Sequence, residues 1–223
     1  MKAKILITTV SAALLLWLSY SFVGSTETKT ACDNSDAGVK LKTDMRKLWE
    51  DHITWTRNVI FNIIDDLPGT DEAVKRLMKN QDDIGDAIKP YYGSDAGKKL
   101  TELLRTHISQ AADLLKAAKT DDNTKFDEVN KMWKQNGEEI ATFLNKANPD
   151  NWKLAEMKKM MQDHLALTLD EAVARKKKDY AGDVMAYDKV HKEILEMADM
   201  LSMGVIEQFP DKFKSTKVTV GSK

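Results

Sequence analysis

The sequence predicts an all-α protein, an up-and-down antiparallel bundle of about six helices that follows an N-terminal signal or anchor segment. From Leu41 onward, apolar residues recur every three or four positions, which is the period of an amphipathic helix. Only the short tail segment KVTV alternates with period two. Because the connections between the long periodic stretches are short, consecutive helices are expected to lie antiparallel.

The composition is that of one globular domain. The chain has 223 residues, of which 42% are hydrophobic and 31% are charged. Lys and Arg total 34 against 35 Asp and Glu, so the charge balance excludes a strongly basic nucleic-acid-binding protein and no nucleic-acid partner is expected. The single cysteine, Cys32, excludes an intrachain disulfide, a cysteine-rich zinc site, an iron–sulfur cluster and a CxxCH haem attachment.

Residues 1–25 have the pattern of an export signal. Lys2 and Lys4 precede an apolar run that continues without a charge to Val23, and small residues follow it. Cleavage after Ser25 is the first interpretation. The run is also nearly long enough to span a bilayer, so an uncleaved membrane anchor is the alternative. Both interpretations predict an extracytoplasmic protein, either secreted or anchored to the cell membrane.

The first three helices are delimited by turn residues. The first covers about 41–66 and ends at the LPG segment. Thr70 is the expected cap of the second, about 71–89, which ends where the PYYG segment begins. The third covers about 94–119 and opens with Ser94 or Asp95.

The last three helices follow in the same way. An aspartate at 121 or 122 opens the fourth, which ends at about 146 before the NPDN segment. The fifth covers about 152–178 and the sixth about 180–208. The expected organisation is therefore a signal or anchor at 1–25, a polar linker at 26–40, a helical domain at 41–209 and a basic tail at 210–223.

An internal similarity links the first and fifth helices. Shifting the chain by 112 residues aligns TDMRKLWEDHITWT with AEMKKMMQDHLALT, and the two segments share the pattern DHxxxT around His52 and His164. A weaker similarity links the third and sixth helices. We interpret these as two related pairs, the first helix with the third and the fifth with the sixth.

The four histidines form the candidate site. His52, His107, His164 and His191 fall on four different helices, at similar distances from the helix starts and on the apolar stripe of each. Midpoints of antiparallel helices of similar length share a level, so we expect the four imidazoles to point into the core at one depth. The remaining two helices each place an amide at that level.

The amides and two aromatic residues complete this predicted layer. Gln81 and Asn136 lie on the apolar stripes of the second and fourth helices, and buried polar groups need partners. Trp49 and Trp55 flank His52 and are candidate walls of a ligand pocket, although aromatics at this spacing are also typical of a core. These four residues are the candidate cofactor-binding set.

Imidazole chemistry suggests a metal or cofactor site. Histidine is the commonest ligand of Zn, Cu and Fe, and nearby methionines would favour copper. A b-type haem between two histidines is a further possibility. The alternatives are a buried His/Asn/Gln hydrogen-bond network in a structural or interaction protein of the cell envelope, and a pocket for a small ligand. The sequence lacks the carboxylate pattern of a di-iron bundle and the common enzyme motifs, so no catalytic residue is predicted.

The chain also resembles a known family. The segments LWEDHITWTRNVI, NQDDIGDAIKPYYG and LLRTHISQAADLL, with the region ending in MGVIEQFP, are similar to small exported helical proteins of Gram-positive bacteria. The likeness covers about Leu41 to Phe213 and implies a helical fold and an extracytoplasmic location. Some members carry the label acetylglutamate kinase. This chain has no glycine-rich phosphate loop, so the resemblance brings no catalytic residue.

Overall fold

The computed structural model describes residues 35–214, and within them every regular element is helical. The predicted all-α class is therefore confirmed for this part of the chain. The predicted signal or anchor segment lies outside the described residues. The elements are α1 Asp36–Ile64, α2 Thr70–Tyr92, α3 Ser94–Lys119, α4 Asn123–Ala147, α5 Leu154–Lys176, α6 Tyr180–Gln208 and a short 3-10 helix at Pro210–Lys212.

The start of α1 differs from its prediction. It begins five residues earlier than expected, so that residues 36–40, assigned to the linker, are helical. Ser35 explains this because its hydroxyl accepts a hydrogen bond from the backbone N–H of Gly38 at 3.0 Å. A serine cap preceding Asp36 is a strong start signal that the weak apolar pattern of this turn concealed.

The end of α2 also differs. The helix continues through Pro90 to Tyr92, although a proline was expected to end it. Proline removes one backbone hydrogen bond, but here it does so in the last turn, and Tyr92 packs against Trp152 with ring centroids 5.7 Å apart. Gly93, with φ of 86°, then reverses the chain directly into α3.

The six helices form a closed ring. Each helix packs against the next one in sequence, and α6 returns to pack against α1, which also contacts α3 and α5. In the side-chain pairs between α1 and α6, the residue numbers rise along α1 while those of the partners fall along α6, so these two helices are antiparallel. The pairs are Arg46 with Asp199, Glu50 with His191, Thr54 with Tyr187, and Arg57 with Asp183.

Three turns at one end of the bundle share a backbone feature. Asp66, Asp121 and Lys178 adopt left-handed conformations with φ of 55°, 56° and 59°. They lie between α1 and α2, α3 and α4, and α5 and α6, immediately after each odd-numbered helix. A left-handed residue here ends a helix and reverses the chain. The fold is thus a series of three helical hairpins.

The tail begins within the core rather than in solvent. Phe213, assigned to the basic tail, is buried and stacks on Tyr91 with ring centroids 5.8 Å apart. Its contacts explain how α2 retains its last turn beyond the proline. Within residues 35–214, no helix is long and apolar enough to cross a membrane.

Candidate functional site

Three of the four histidines meet at the middle of the bundle. His52 of α1, His107 of α3 and His164 of α5 are buried and line one small cavity of about 30 Å³. The imidazole centroids of His52 and His164 are 5.7 Å apart. The other residues that line the cavity are apolar, apart from the indole nitrogens of two tryptophans. The prediction of a common depth holds for these three side chains.

The structure does not bring His191 to this cavity. Its imidazole lies on the outer side of α6, where 39% of the side chain is exposed and Nε2 is 3.0 Å from a carboxylate oxygen of Glu50. The buried stripe of α6 instead passes through Val190 and Ile194. His191 directly follows Val190 in sequence and is therefore rotated from it by about 100° around the helix, which places its side chain at the surface.

Nδ1 of His107 and of His164 is hydrogen-bonded to a side-chain oxygen of the following helix. For His107 the acceptor is Oδ1 of Asn136 at 3.0 Å, and the amide nitrogen of Asn136 donates to the carbonyl of Leu103. Because the amide nitrogen of Asn136 donates to Leu103, the atom that faces His107 is the amide oxygen, which can only accept. His107 therefore carries its proton on Nδ1. For His164 the partner is Oε2 of Glu193 at 2.9 Å. Both rings therefore have a lone pair on Nε2 when neutral.

The contact of His52 with Gln81 is different. Nδ1 of His52 lies 3.3 Å from the amide nitrogen of Gln81. Both hydrogens of that nitrogen already have acceptors, the carbonyl of Leu77 at 2.8 Å and Oδ1 of Asn80 at 3.1 Å. The contact therefore orients the ring of His52 without fixing its tautomer. Gln81 is fully buried, and its Oε1 has no hydrogen-bond partner in the described chain.

The three histidine contacts have the same spacing in sequence. Each histidine lies 29 residues before its partner on the following helix. Each also lies 14 residues before the left-handed residue of its hairpin turn. The three hairpins therefore present their histidines at equivalent positions, which differs from the two related pairs expected from the sequence.

Glu193 is the site residue that the sequence interpretation missed. It is largely buried, and one of its carboxylate oxygens has no hydrogen-bond partner among the described residues. The signal that could have found it is the recurring interval from histidine to partner, which leads from His164 to position 193.

Burial keeps two of the imidazoles neutral. It lowers the pKa of His107 to about 3, with a smaller contribution from the charge that His164 would carry. The pKa of His52 is lowered well below its usual value by burial first, and then by His164 and His107. At neutral pH both rings are therefore unprotonated, the form that accepts a hydrogen bond or binds a metal.

The predicted aromatic walls separate. Trp49 lines the cavity and meets His52 edge-on, with centroids 5.6 Å apart. Trp55 belongs to a second apolar cluster towards the hairpin turns and packs beneath the guanidinium of Arg76 at 5.2 Å. Of these two predicted wall residues, Trp49 alone can therefore contact a ligand in the cavity. The cavity is also lined by four methionines: Met45, Met160, Met161 and Met197.

The described residues contain no group of three or more His, Cys, Asp or Glu side chains close enough to hold a metal ion. The hydrogen bonds of His107 and His164, and the contact of His52 with Gln81, all involve Nδ1. Three imidazoles thus line a small apolar cavity, each with its Nδ1 in contact with a residue of the following helix.

Comparison of the chain with protein-family models, with curated proteins and with solved structures gives no significant match in any of the three.

Proposed function

We propose that this protein is an extracytoplasmic binding protein that holds a transition-metal ion, Cu, Zn or Fe, in the mid-bundle cavity lined by His52, His107 and His164. One observation supports this most directly. His52, His107 and His164 line one small apolar cavity, and the Nδ1 atom of each contacts a residue of the following helix, which leaves Nε2 as the nitrogen available to an ion. The role is one of binding, with no catalytic residue assigned.

A buried nitrogen lone pair without a partner is costly. Leaving a buried acceptor without a hydrogen bond costs about 1–3 kcal/mol in proteins, and neutral His107, with its proton on Nδ1, has a lone pair on Nε2. A bound ion would satisfy this lone pair. The metal would therefore stabilise the fold as well as being held by it.

The separation of the rings suits a shared ion. With metal–nitrogen bonds of about 2 Å, two imidazoles on one ion have centroids roughly 5 to 6 Å apart. His52 and His164 are 5.7 Å apart. The cavity of about 30 Å³ has room for an ion with one or two waters. A b-type haem is far larger and would require the helices to separate, so the geometry favours an ion.

The anchored Nδ1 atoms also favour this proposal. Metal-binding histidines usually donate their other ring nitrogen to a carboxylate or a carbonyl, which orients the ring. Glu193 and the side-chain carbonyl of Asn136 occupy those positions here. Such support explains why two buried histidines are each paired with a polar residue of the neighbouring helix.

Matched histidine variants test the proposal. The untagged protein should take up about one ion per chain when reconstituted with Cu(I), Zn(II) or Fe(II), as measured by elemental analysis after desalting. His164→Gln and His107→Gln should each reduce the uptake, whereas His191→Gln should leave it unchanged because that side chain lies at the surface. Protein that stays empty with all three metals contradicts the proposal.

The proposed location follows from residues 1–25, which lie outside the described residues. A charged start followed by a long apolar run supports export, with the membrane as a partner if the segment stays uncleaved. Cell fractionation with N-terminal sequencing of the native protein tests this. A chain that starts near residue 26 in the extracellular fraction indicates cleavage, and cytoplasmic full-length protein contradicts export.

A structural role is the second candidate. It is favoured by the satisfied Nδ1 atoms and by the lack of a preformed group of three metal-ligating side chains in residues 35–214. On this hypothesis the protein is a structural or interaction module of the cell envelope, and the same His107→Gln and His164→Gln variants lose stability while no ligand binding changes. Unfolding measured with and without metal separates the two candidates.

A further inference from the structure

We infer that the ion held in the cavity is copper(I), bound by His52 and His164 together with a methionine thioether, and that Glu193 supplies the balancing negative charge. This inference rests on the proposed metal-binding function and specifies its ligand. It depends on three features of the cavity: the methionines that line it, its charge, and the number of His, Cys, Asp and Glu ligands that it offers.

Thioether sulfur is abundant at the site. Met45, Met160, Met161 and Met197 all line the cavity. Met160 and Met161 precede His164 by four and three residues on α5, so they share its face of the helix. Thioethers are soft ligands that favour Cu(I), whereas Zn(II) and Fe(II) prefer nitrogen, thiolate or carboxylate ligands.

The charge of the site matches a monovalent cation. Asp, Glu, Lys and Arg are absent from the residues that line the cavity. The acidic side chain hydrogen-bonded to a lining histidine is Glu193, whose Oε2 lies 2.9 Å from Nδ1 of His164. Cu(I) together with this carboxylate is electrically neutral, whereas a divalent ion would leave an uncompensated positive charge. In an apolar cavity such a charge is strongly unfavourable.

The number of ligands also agrees with copper(I). A structural zinc site needs four nitrogen, sulfur or oxygen ligands, and no group of three His, Cys, Asp or Glu side chains lies close enough in residues 35–214. Two imidazoles and one thioether form a smaller site, for which the pair His52 and His164 already has a suitable separation of 5.7 Å. His107 remains a third nitrogen at the same cavity.

Anaerobic titration against a competing Cu(I) chelator, followed by X-ray absorption of the loaded protein, provides the first test. We expect one Cu(I) per chain with both nitrogen and sulfur scatterers. If Zn(II) or Fe(II) binds and Cu(I) does not, or if bound copper has nitrogen neighbours alone, the inference is overturned while the proposed metal binding stands. If no metal binds, the proposed function itself is overturned.

Methionine variants test the thioether ligand. The double variant Met160→Leu with Met161→Leu conserves volume and should weaken Cu(I) binding by at least about tenfold, while leaving any Zn(II) binding unchanged. Met132→Leu, at an exposed position, is the matched control and should have no effect. If the double variant fails to fold, Met45→Leu and Met197→Leu are measured singly. Equal Cu(I) affinity in all folded variants contradicts the assignment.

A glutamate variant tests the charge. Glu193→Gln keeps an oxygen that can accept from His164 and removes the charge, and should weaken Cu(I) binding by about ten- to a hundredfold. Glu196→Gln, one turn away on the same helix with 68% of its side chain exposed, is the control. Unchanged Cu(I) affinity in Glu193→Gln would show that the carboxylate only orients the ring.

Discussion

The Nδ1 atom of His107 lies 3.0 Å from Oδ1 of Asn136 across the hairpin formed by α3 and α4. Both side chains are buried, and Trp133 covers the imidazole with its ring centroid 5.2 Å away. The amide of Asn136 is itself held by the carbonyl of Leu103. The orientation of His107 at the central cavity is thus fixed by the neighbouring helix.

Replacing Asn136 should destabilise the fold. In Asn136→Leu the buried Nδ1–H of His107 loses its acceptor and the carbonyl of Leu103 loses the additional bond from the amide, which should lower the free energy of unfolding by about 1–3 kcal/mol. Chemical denaturation measures this. Gln135→Leu, at the exposed neighbouring position, should change it by less than about 0.5 kcal/mol. Equal effects of the two variants would contradict the assigned role.

The metal-free protein should lose stability in acid because of its buried histidines. The pKa of His107 is about 3 and that of His52 is also lowered, whereas both are ordinary in the unfolded chain. As the pH falls below about 6.5, the unfolded state therefore binds protons that the folded state excludes, and stability decreases towards pH 3. Each such histidine contributes a slope of up to about 1.4 kcal/mol per pH unit.

The comparison of two variants isolates this effect. His107→Gln should reduce the slope of stability against pH between about 6 and 4, because the unfolded chain then has one histidine fewer to protonate. His191→Gln should leave the slope unchanged, since that side chain is partly exposed and outside the cavity. An unaltered slope in His107→Gln would show that acid acts elsewhere.

Glu171 should have the opposite pH dependence. Burial raises its pKa to about 7, and the nearby charge of Asp183 adds to the rise. Arg57, whose guanidinium lies 2.5 Å from Glu171 and 2.8 Å from Asp183, opposes it. The folded state therefore retains a proton between about pH 4.5 and 7, and this contribution to stability is lost as the pH rises through 7. Glu171→Gln should be closest to the original protein at pH 5 and relatively more stable at pH 8.

The urea midpoints of the two proteins at several pH values test this prediction. A difference between Glu171→Gln and the original chain that stays constant from pH 5 to 8 would contradict it. Glu138→Gln is a suitable control because that carboxylate is half-exposed and pairs with Lys158 on the outside of the bundle.

Two glycines should respond in opposite directions to alanine. A Cβ at Gly85 would lie 2.7 Å from the carbonyl oxygen of Gly97, a backbone atom of α3, so Gly85→Ala should destabilise the fold by about 1–3 kcal/mol. A Cβ at Gly137 would meet Leu165 at 3.5 Å and Met161 at 3.8 Å, which are ordinary van der Waals distances. Gly137→Ala should therefore gain about 0.5–1 kcal/mol from helix propensity. Thermal and urea unfolding measure both, and a stabilised Gly85→Ala would contradict the close approach of α2 and α3.

The helices themselves could be predicted because their signals are local. Periodic apolar residues and turn segments such as NPDN are contained within a few consecutive residues, and the break before α5 falls where that segment predicts it. The prediction missed the true start of α1 and the last turn of α2. The first depends on a single serine cap, and the second on aromatic contacts with distant residues such as Trp152.

The site could be predicted only in part. Single-helix periodicity placed His52, His107 and His164 correctly, because each has buried apolar residues three or four positions before it. It misplaced His191, which follows Val190 and precedes Ile194 by three residues but lies outside the buried stripe that these two residues define. Packing of α6 against both α1 and α5 decides that orientation.

By itself, the sequence determined the helical class of residues 35–214 and three of the cavity histidines, because both follow from the order of apolar and polar residues along one helix. Only the tertiary structure decided that Glu193 supports His164, that Trp55 belongs to another cluster and that His191 faces solvent. These are relationships between helices. They depend on how each helix is rotated against its neighbours, and that rotation is set by packing across the whole ring.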